Sequence, residues 1–327
     1  MTLTSAAGAS RASGNLRMTP GRWVAVAFAV PIALALIGWT GFSFVGLVAR
    51  NSYPFTYPVQ VHDGQVALNV SGGNVTLRQA LGPSALLTGT VQYDLIRPGL
   101  TERMSASGLD VGVVNCLGVG SGCGLNAALD VPARTGVELW SDGGDISVSG
   151  FTSSLTLWAQ GGNITASNLS GDLRLDTGGG DVAGSGLTGD VQVTADGGNI
   201  NVGDVGGTVR LDTGGGDLAG SGFSGPLQLL AEGGNISLNA VASQQVNAQS
   251  GGGDVSLVFT QVPTDLQITA AGGNVTVVLP PGGAKYNIVT QADGGNVSYP
   301  GALASSSSPD TITIDSGGGD ISIAQAG

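Results

Sequence analysis

A short repeat governs the second half of this chain. Two glycines, then Asp or Asn, then an aliphatic residue return at a constant interval from position 143 to position 236, and with longer steps thereafter. The Asp or Asn positions are Asp145, Asn163, Asp181, Asn199, Asp217, Asn235, Asp254, Asn274, Asn296 and Asp320, with an isolated earlier copy at Asn74. A fixed short period is the signature of a solenoid or another repeat array.

The residues around this motif alternate between apolar and polar. The residue after the Asp or Asn is aliphatic in all ten copies, and the residues eight and six positions before it are Val or Leu in the first six copies. The residue between those two is polar, as in Leu173-Arg174-Leu175. Such alternation predicts β-strands with one buried face. No segment after residue 50 shows a helical period.

Two all-β folds are compatible with such units. In a parallel β-solenoid each unit is one coil, and equivalent residues stack about 4.8 Å apart. In an antiparallel meander each Gly-Gly turn closes a hairpin instead. The aliphatic columns, and the return of Trp140 as Trp158 at the interval of the repeat, favour the solenoid. We predict a parallel β-solenoid of about ten coils with 18–24 residues each, preceded by one transmembrane α-helix.

Asp and Asn alternate over the first eight copies of the repeat. Carboxylates in every coil would lie about 5 Å apart and repel by roughly 1 kcal/mol each even in water. Alternation with Asn doubles the distance between charges, and Asn side chains form amide ladders between stacked strands. The alternation therefore supports stacked coils and weakens the case for a dedicated row of metal ligands.

An uncharged run over 23–49 separates Arg22 from Arg50. About 20 residues suffice to cross a membrane as a helix, and a signal peptide has a shorter apolar region of about 7–15 residues. Three arginines precede the run and one follows it, which predicts a cytoplasmic N-terminus and an extracytoplasmic C-terminal domain. The predicted divisions are a basic cytoplasmic tail over 1–22, a transmembrane helix over 23–49, a linker and N-terminal β cap over 50–136, and the repeat solenoid over 137–327. A long signal peptide cut after Ala49 and a buried core helix are the alternatives.

The charge balance restricts the partners. Residues 51–327 hold all 23 acidic residues and seven basic ones, a net charge of −16. Such a surface repels phosphate backbones, so no nucleic-acid partner is expected. Two G-x-G-x-x-G matches, over 184–189 and 220–225, recur with the coil and precede no predicted helix, so no nucleotide site is expected either.

Catalytic and metal chemistry have weak support. Glycan cleavage on a β-helix needs paired carboxylates and basic residues on one face, but the basic residues after position 136 are Arg174, Arg210 and Lys285. Calcium-binding β-rolls have the same coil length, yet half of these copies carry Asn, and Ca²⁺ takes six to eight oxygen ligands. We expect no enzymatic activity and no cofactor. A calcium-binding repeat stays an alternative, with the candidates Asp176, Asp181, Asp196, Asp212, Asp217 and Glu232.

Two further pairs of residues are singled out by their spacing. Cys116 and Cys123 bracket six residues and could close a disulfide in an oxidising compartment, while two buried thiols are the alternative. Trp140 and Trp158 fall on the outer face of the predicted solenoid among Thr, Ser, Gln and Asn residues. That flank is the predicted contact face.

The start of the repeat carries a family resemblance. The run LDVPARTGVELWSDGGDISVSG over 129–150, followed by units such as LSGDLRLDTGGGDVAGSG, resembles the putative-adhesin domain family of bacterial envelope proteins. The resemblance covers about residues 60–327 and implies a Gly-Asp-Val repeat β-solenoid behind a single membrane anchor, without catalytic residues. It implies surface adhesion, so we expect a non-enzymatic surface interaction module or envelope structural module with a cell-wall glycan or a surface protein as partner. A cell-wall or glycan-binding sensor in envelope-stress signalling is the alternative.

Overall fold

The computed structural model describes residues 51–80, 82–94, 96–105, 108–115 and 123–327. The predicted tail and transmembrane helix lie outside these residues. Within them, no helix is long and apolar enough to cross a membrane.

The described chain is all-β apart from one 3-10 turn at Gly301–Leu303. The strands are β1 Asn51–Val59, β2 Gln65–Ser71, β3 Asn74–Ala80, β4 Ala85–Tyr93, β5 Gly99–Ser105, β6 Gly108–Val114, β7 Gly124–Pro132, β8 Gly136–Ser141, β9 Ile146–Ser149, β10 Leu155–Ala159, β11 Ile164–Leu169, β12 Leu173–Thr177, β13 Val182–Leu187, β14 Val191–Ala195, β15 Ile200–Val205, β16 Val209–Thr213, β17 Leu218–Phe223, β18 Leu227–Ala231, β19 Ile236–Val241, β20 Gln245–Ser250, β21 Val255–Phe259, β22 Asp265–Ala270, β23 Val275–Leu279, β24 Asn287–Ala292, β25 Val297–Ser298, β26 Thr311–Ser316 and β27 Ile321–Gln325.

The strands form two long sheets that share one core. From β8 to β23 the even-numbered strands lie in a 13-stranded sheet and the odd-numbered strands in a 14-stranded sheet. Each strand pairs in parallel with the equivalent strand of the next unit, so that Leu155 lies opposite Leu173, and Ile164 opposite Val182. One unit is therefore one coil that contributes a strand to each sheet. This is the arrangement of a parallel β-solenoid rather than of an antiparallel meander.

The core lies between the two sheets and consists of the aliphatic columns that the alternation predicted. Leu157, Leu175, Val193 and Leu211 stack along one sheet, each at most 1% exposed. The polar residues between the aliphatic positions face outward, as Arg174 does. Burying each large aliphatic side chain stabilises the fold by about 1.5–3 kcal/mol relative to leaving it in water.

The coils at both ends do not stack in chain order. The coil made of β2 and β3 lies between the coil of β6 and β7 and the coil of β8 and β9. At the other end, the last coil in the chain, β26 and β27, lies between β22–β23 and β24–β25. The region from residue 137 thus supplies ten coils, and the segment before it supplies two more in the same stack.

Antiparallel strands close the N-terminal edge of both sheets. In one sheet β4 pairs with β7, and β1 pairs with β4; in the other, β5 pairs with β6. All three pairings are antiparallel, whereas the coils themselves pair in parallel. The edge of the outermost coil, β6 and β7, is therefore occupied by chain from this same protein, which protects it from pairing with other molecules.

The Asp/Asn column is a continuous ladder of hydrogen bonds along one edge of the stack. The backbone N–H of each member donates to the Oδ1 atom of the member before it, at 2.7–3.0 Å. Five Asn side chains also donate through Nδ2 to the same Asp oxygen, at 3.1–3.3 Å. The spatial order of the ladder is Asn74, Asp145, Asn163, Asp181, Asn199, Asp217, Asn235, Asp254, Asn274, Asp320 and Asn296.

At the C-terminal end, where the coils do not stack in chain order, the Asp/Asn alternation of the ladder becomes complete. In the sequence, Asn274 and Asn296 are consecutive copies of the motif, and the alternation stops there. In space, Asp320 lies between them, because the last coil is inserted between the two coils before it. Every Asp in the ladder therefore has Asn on both sides, and no two ladder carboxylates are adjacent.

A second column, four residues before the ladder, alternates in step with it. From residue 137 onward, coils with a ladder Asp carry Ser or Thr there and coils with a ladder Asn carry Ala, whereas the earlier coil that ends at Asn74 carries Val70. The hydroxyl of Thr177 is buried, donates to the carbonyl of Gly162 at 3.0 Å and accepts from the N–H of Gly180 at 3.1 Å. The members in spatial order are Ser141, Ala159, Thr177, Ala195, Thr213, Ala231, Ser250, Ala270, Ser316 and Ala292.

Two kinds of coil therefore alternate, and the structural period is two coils rather than one. The residue after Thr177 is Gly178, where a Cβ atom would lie 2.5 Å from the carbonyl oxygen of Gln160 in the neighbouring coil. Gly214, Gly251 and Gly317 meet the same obstacle after Thr213, Ser250 and Ser316. A coil of the Asp kind thus fits between two coils of the Asn kind. This favours insertion of β26–β27, which carries Asp320, between the coils that carry Asn274 and Asn296.

Replacing Asn199 by Asp should destabilise the protein by about 1–2 kcal/mol, because it removes an amide donor and makes three carboxylates adjacent. The part of the loss that comes from repulsion between the carboxylates should shrink as added salt screens them. Urea unfolding at low and high salt measures both effects. Asn201→Asp is the matched control, since Asn201 is exposed in the same coil but outside the ladder. Equal destabilisation by both substitutions would contradict the role of the ladder.

Candidate functional site

The outer face of the 13-stranded sheet carries two columns of mostly polar side chains, which we call the polar face. The first column is Glu138, Thr156, Arg174, Gln192, Arg210, Gln228, Asn247 and Gln267. The second column is Trp140, Trp158, Asp176, Thr194, Asp212, Leu230, Gln249 and Thr269. Parallel strand pairing repeats these side chains at about 4.8 Å. The polar face is therefore a regular and rigid array.

Trp140 and Trp158 form the aromatic part of the polar face. They are opposite each other in register, and their rings are stacked with centroids 4.3 Å apart and an interplanar angle of 5°. The planes of both rings are therefore roughly perpendicular to the direction that leads from one strand to the next. One face of each ring is covered by the other ring. The second face of Trp140 is turned toward β2, where Asn69 is its register partner, and that of Trp158 toward Asp176.

The two arginines of the polar face lie beside acidic residues on their own strands. Arg174 is 3.9 Å from Asp176, and Arg210 is 3.6 Å from Asp212. Arg210 also donates through Nη1 to Oε1 of Gln228 at 3.1 Å. Such exposed pairs contribute about 0–1 kcal/mol to stability. A shallow groove of about 560 Å³ runs over both arginines and over Gln192, so hydrogen-bond donors and acceptors alternate along its floor.

The calcium candidates are not brought together. Asp176 and Asp212 lie next to the arginines, whereas Asp181 and Asp217 are members of the ladder, where each accepts two hydrogen bonds from the following Asn. Asp196 and Glu232 are exposed at the turns of other coils. Across the described ranges, no three His, Cys, Asp or Glu residues form a group that could hold a metal ion.

The cysteine pair falls at the margin of the described residues. Cys123 is disulfide-bonded, whereas Cys116 lies outside the described residues. The pairing of Cys116 with Cys123 stays a prediction.

The sequence did not predict which residues surround Trp140. Asn69 and Ser71 belong to β2, which comes much earlier in the chain than the tryptophan, yet β2 pairs directly with β8. A depression of about 280 Å³ lies between the ring of Trp140 and Asn69, Val70, Ser71 and Asp142. The isolated copy of the motif at Asn74 was the available indication of this neighbour in the sequence. It marks the Asp/Asn position of a further coil, and that coil must stack on another coil.

Comparisons with known proteins give one family and several solved structures. The family model "Toastrack DUF4097" matches residues 9–325. Among solved structures, a putative cell adhesion protein from Clostridium sporogenes is 11% identical, with 84% of this chain and 100% of that chain covered and a TM-score of 0.22. A putative adhesin from Bacteroides fragilis is 12% identical, with 84% and 97% covered and a TM-score of 0.39. A putative adhesin from Parabacteroides merdae is 13% identical, with 86% and 98% covered and a TM-score of 0.37. A search of curated proteins finds no match.

The stacked tryptophans give a prediction for spectroscopy. Two indoles stacked at 4.3 Å should couple, and the twist between neighbouring strands skews their transition dipoles, so the far-ultraviolet circular dichroism of the full-length protein should contain an exciton couplet. Trp140→Phe or Trp158→Phe should each remove the couplet and leave the β-sheet signal intact, because a strand pair accepts either aromatic residue. Leu230→Phe, on the same face but far from the pair, is the control. A couplet that survives both substitutions would contradict the stack.

Proposed function

This chain belongs to the Toastrack DUF4097 family, and from that premise we propose that it is an adhesin-like surface protein that acts by contact and not by catalysis. In this proposal a single membrane anchor holds the β-solenoid outside the cell. The polar face is the surface that meets the partner, and no cofactor takes part.

The composition and rigidity of the polar face carry the proposal. Tryptophan and arginine, which dominate binding energy at protein interfaces, lie on it at Trp140, Trp158, Arg174 and Arg210. Continuous strand pairing fixes the backbone under these residues on both sides. A surface fixed in advance loses little conformational entropy when it binds. Such a face suits repeated, shallow contact with another surface.

Many acidic residues of the repeat support contact rather than catalysis because they already have structural partners. Ladder residues such as Asp181 accept hydrogen bonds from a backbone N–H and an Asn side chain of the next coil. Outward residues such as Asp176 lie beside an arginine. Catalysis by paired carboxylates would require acids that face a common substrate position, whereas these acids serve the stack or the charge balance of the sheet.

The proposed anchor is the uncharged run over 23–49. β1 begins at Asn51, directly after Arg50 at the end of that run. A membrane-spanning helix there would hold the N-terminal cap of the solenoid next to the membrane, with the repeat coils further out. The arginines before the run would keep the tail in the cytoplasm.

A second candidate function is a cell-wall or glycan-binding sensor. The observation that favours it is that the tryptophan stack shares the polar face with amide side chains such as Gln192, which lies in the groove two strands from Trp158. Aromatic ring faces accommodate the apolar side of a sugar ring, and amides offer donors and acceptors to its hydroxyl groups. Retention of the full-length protein on purified peptidoglycan, and its loss with soluble wall fragments, would favour the sensor over a protein-binding adhesin.

The contact face can be tested with a matched pair of triple variants. Cells that express the full-length chain should lose most of their adhesion to cells of the same strain when Trp158, Arg210 and Gln192 are replaced by Ala. The control replaces three exposed residues on the other sheet, Thr165, Ser237 and Thr276, by Ala, and should leave adhesion unchanged. If both variants behave like the parent chain, the polar face is not the contact surface.

The anchor can be tested by labelling in intact cells. A membrane-impermeant maleimide should label Ser306→Cys, at an exposed position near the C-terminal end, and should label Ser5→Cys only after the cells are opened. The parent chain reports any reaction of the two native cysteines. Labelling of both reporters in intact cells, or of neither, would contradict the proposed topology.

A further inference from the structure

We propose that the depression beside Trp140 is a docking site for a basic side chain of a partner protein, with arginine preferred over lysine. The depression, which we call the Trp140 pocket, is lined by Asn69, Val70, Ser71, Trp140 and Asp142 and has a volume of about 280 Å³. This inference rests on the proposed contact function, since it names the chemistry of one position on the surface that would make the contact.

The wall of the Trp140 pocket is a ring face held in place. Trp158 covers one side of the Trp140 ring at 4.3 Å, so the ring cannot lean away from the pocket in that direction. The other side faces β2, where the register partner of Trp140 is Asn69, and the neighbour of Ser71 in β6 is Gly112. These short side chains leave space beside the ring. A cation within about 6 Å of an indole centroid is attracted by the negative face of the ring, and indole is the best of the aromatic side chains for this.

The polar groups around the ring are suited to a ligand that donates hydrogen bonds. Nδ2 of Asn69 donates to Oδ1 of Asp110, which turns the Oδ1 atom of Asn69 away from Asp110. The hydroxyl of Ser71 and the carboxylate of Asp142 are both exposed at the rim. A planar guanidinium group can stack on the indole and donate to several of these oxygens at once, which an ammonium group does less well.

The charge around the pocket is complementary to a cation. Glu138 in β8 and Asp142 in the turn that follows β8 flank Trp140 in the sequence, two residues before and two residues after it. Arg103 lies opposite Asp110 in β5, three strands from β8, and so balances Asp110 rather than the two acids at the ring. Residues 51–327 carry a net charge of −16. This field raises the rate at which a basic partner arrives and disfavours an acidic one.

The test uses the full-length protein in detergent micelles with Trp23→Phe and Trp39→Phe. The chain has four tryptophans, so only Trp140 and Trp158 then contribute to tryptophan fluorescence. The probes are N-acetyl-arginine amide, the uncharged isostere N-acetyl-citrulline amide, and methyl glucoside. The arginine probe should change the fluorescence saturably, and the citrulline probe should bind roughly tenfold more weakly, a difference of about 1.4 kcal/mol. Added salt should weaken the arginine probe alone.

Two variants and one control locate the binding. Asp142→Asn should weaken the arginine probe several-fold and leave the indole stack intact, and Trp140→Ala, followed by calorimetry, should abolish binding. Asp196→Asn is the control, since Asp196 is an exposed acid at an equivalent turn position two coils away from the pocket's neighbour Trp158.

Each remaining outcome overturns the inference. Equal affinity for the arginine and citrulline probes would show that charge is not recognised. Binding of methyl glucoside without binding of the arginine probe would show a sugar site instead, and no response to any probe would show that the pocket is not used. The proposed contact function is tested apart from this, because the cell-adhesion assay does not use the probes. Loss of adhesion in the triple variant, together with no response of the Trp140 pocket to the arginine probe, would overturn this inference and leave the contact function standing.

Discussion

The structure depends on the direct stacking of turn upon turn. Each coil places the backbone of its glycine turn against the backbone of the coil before it, so close that a side chain at Gly178 would collide with a neighbouring carbonyl. The backbone polar groups of these turns need hydrogen-bond partners. The ladder of Asp and Asn, and the buried hydroxyls such as that of Thr177, supply them. A large share of the glycines in the repeat, such as Gly162, Gly180 and Gly198, follows from this requirement.

The close stacking of turns also determines which surfaces are used for the fold and which surface is free for contact with a partner. The turn edge is occupied by the ladder, and the inner faces of both sheets are occupied by the aliphatic columns. Side chains on the outer faces are under no such constraint, which leaves room for Trp140 and Trp158 at positions where other coils carry Asp or Thr. Residue choices that the stack does not explain are therefore concentrated on the polar face.

The sequence predicted what lies within one coil and missed what depends on the order of coils. The constant period of the repeat and its strict alternation predicted parallel stacking, the core columns and the partnership of Trp140 with Trp158, since each depends on neighbours one repeat apart. The insertion of β26–β27 between two earlier coils depends on pairings such as that of Leu266 with Ile312. The sequence signal for it, the break in the Asp/Asn alternation at Asn274 and Asn296, is local to the motif and does not by itself say which coil fills the gap. For the same reason Asn69 was not recognised as a neighbour of Trp140.

The stacking of the C-terminal coils out of chain order also affects the mechanical strength of the protein. In a solenoid whose last coil lies at the tip, a pulling force on the C-terminus can peel the coils off one at a time, each from a single neighbour. Here the last coil is paired on both sides, with β22–β23 and with β24–β25. Traction on the C-terminus must therefore break two sets of strand pairings before β26 and β27 are released, which makes the C-terminal end of the stack more resistant to peeling.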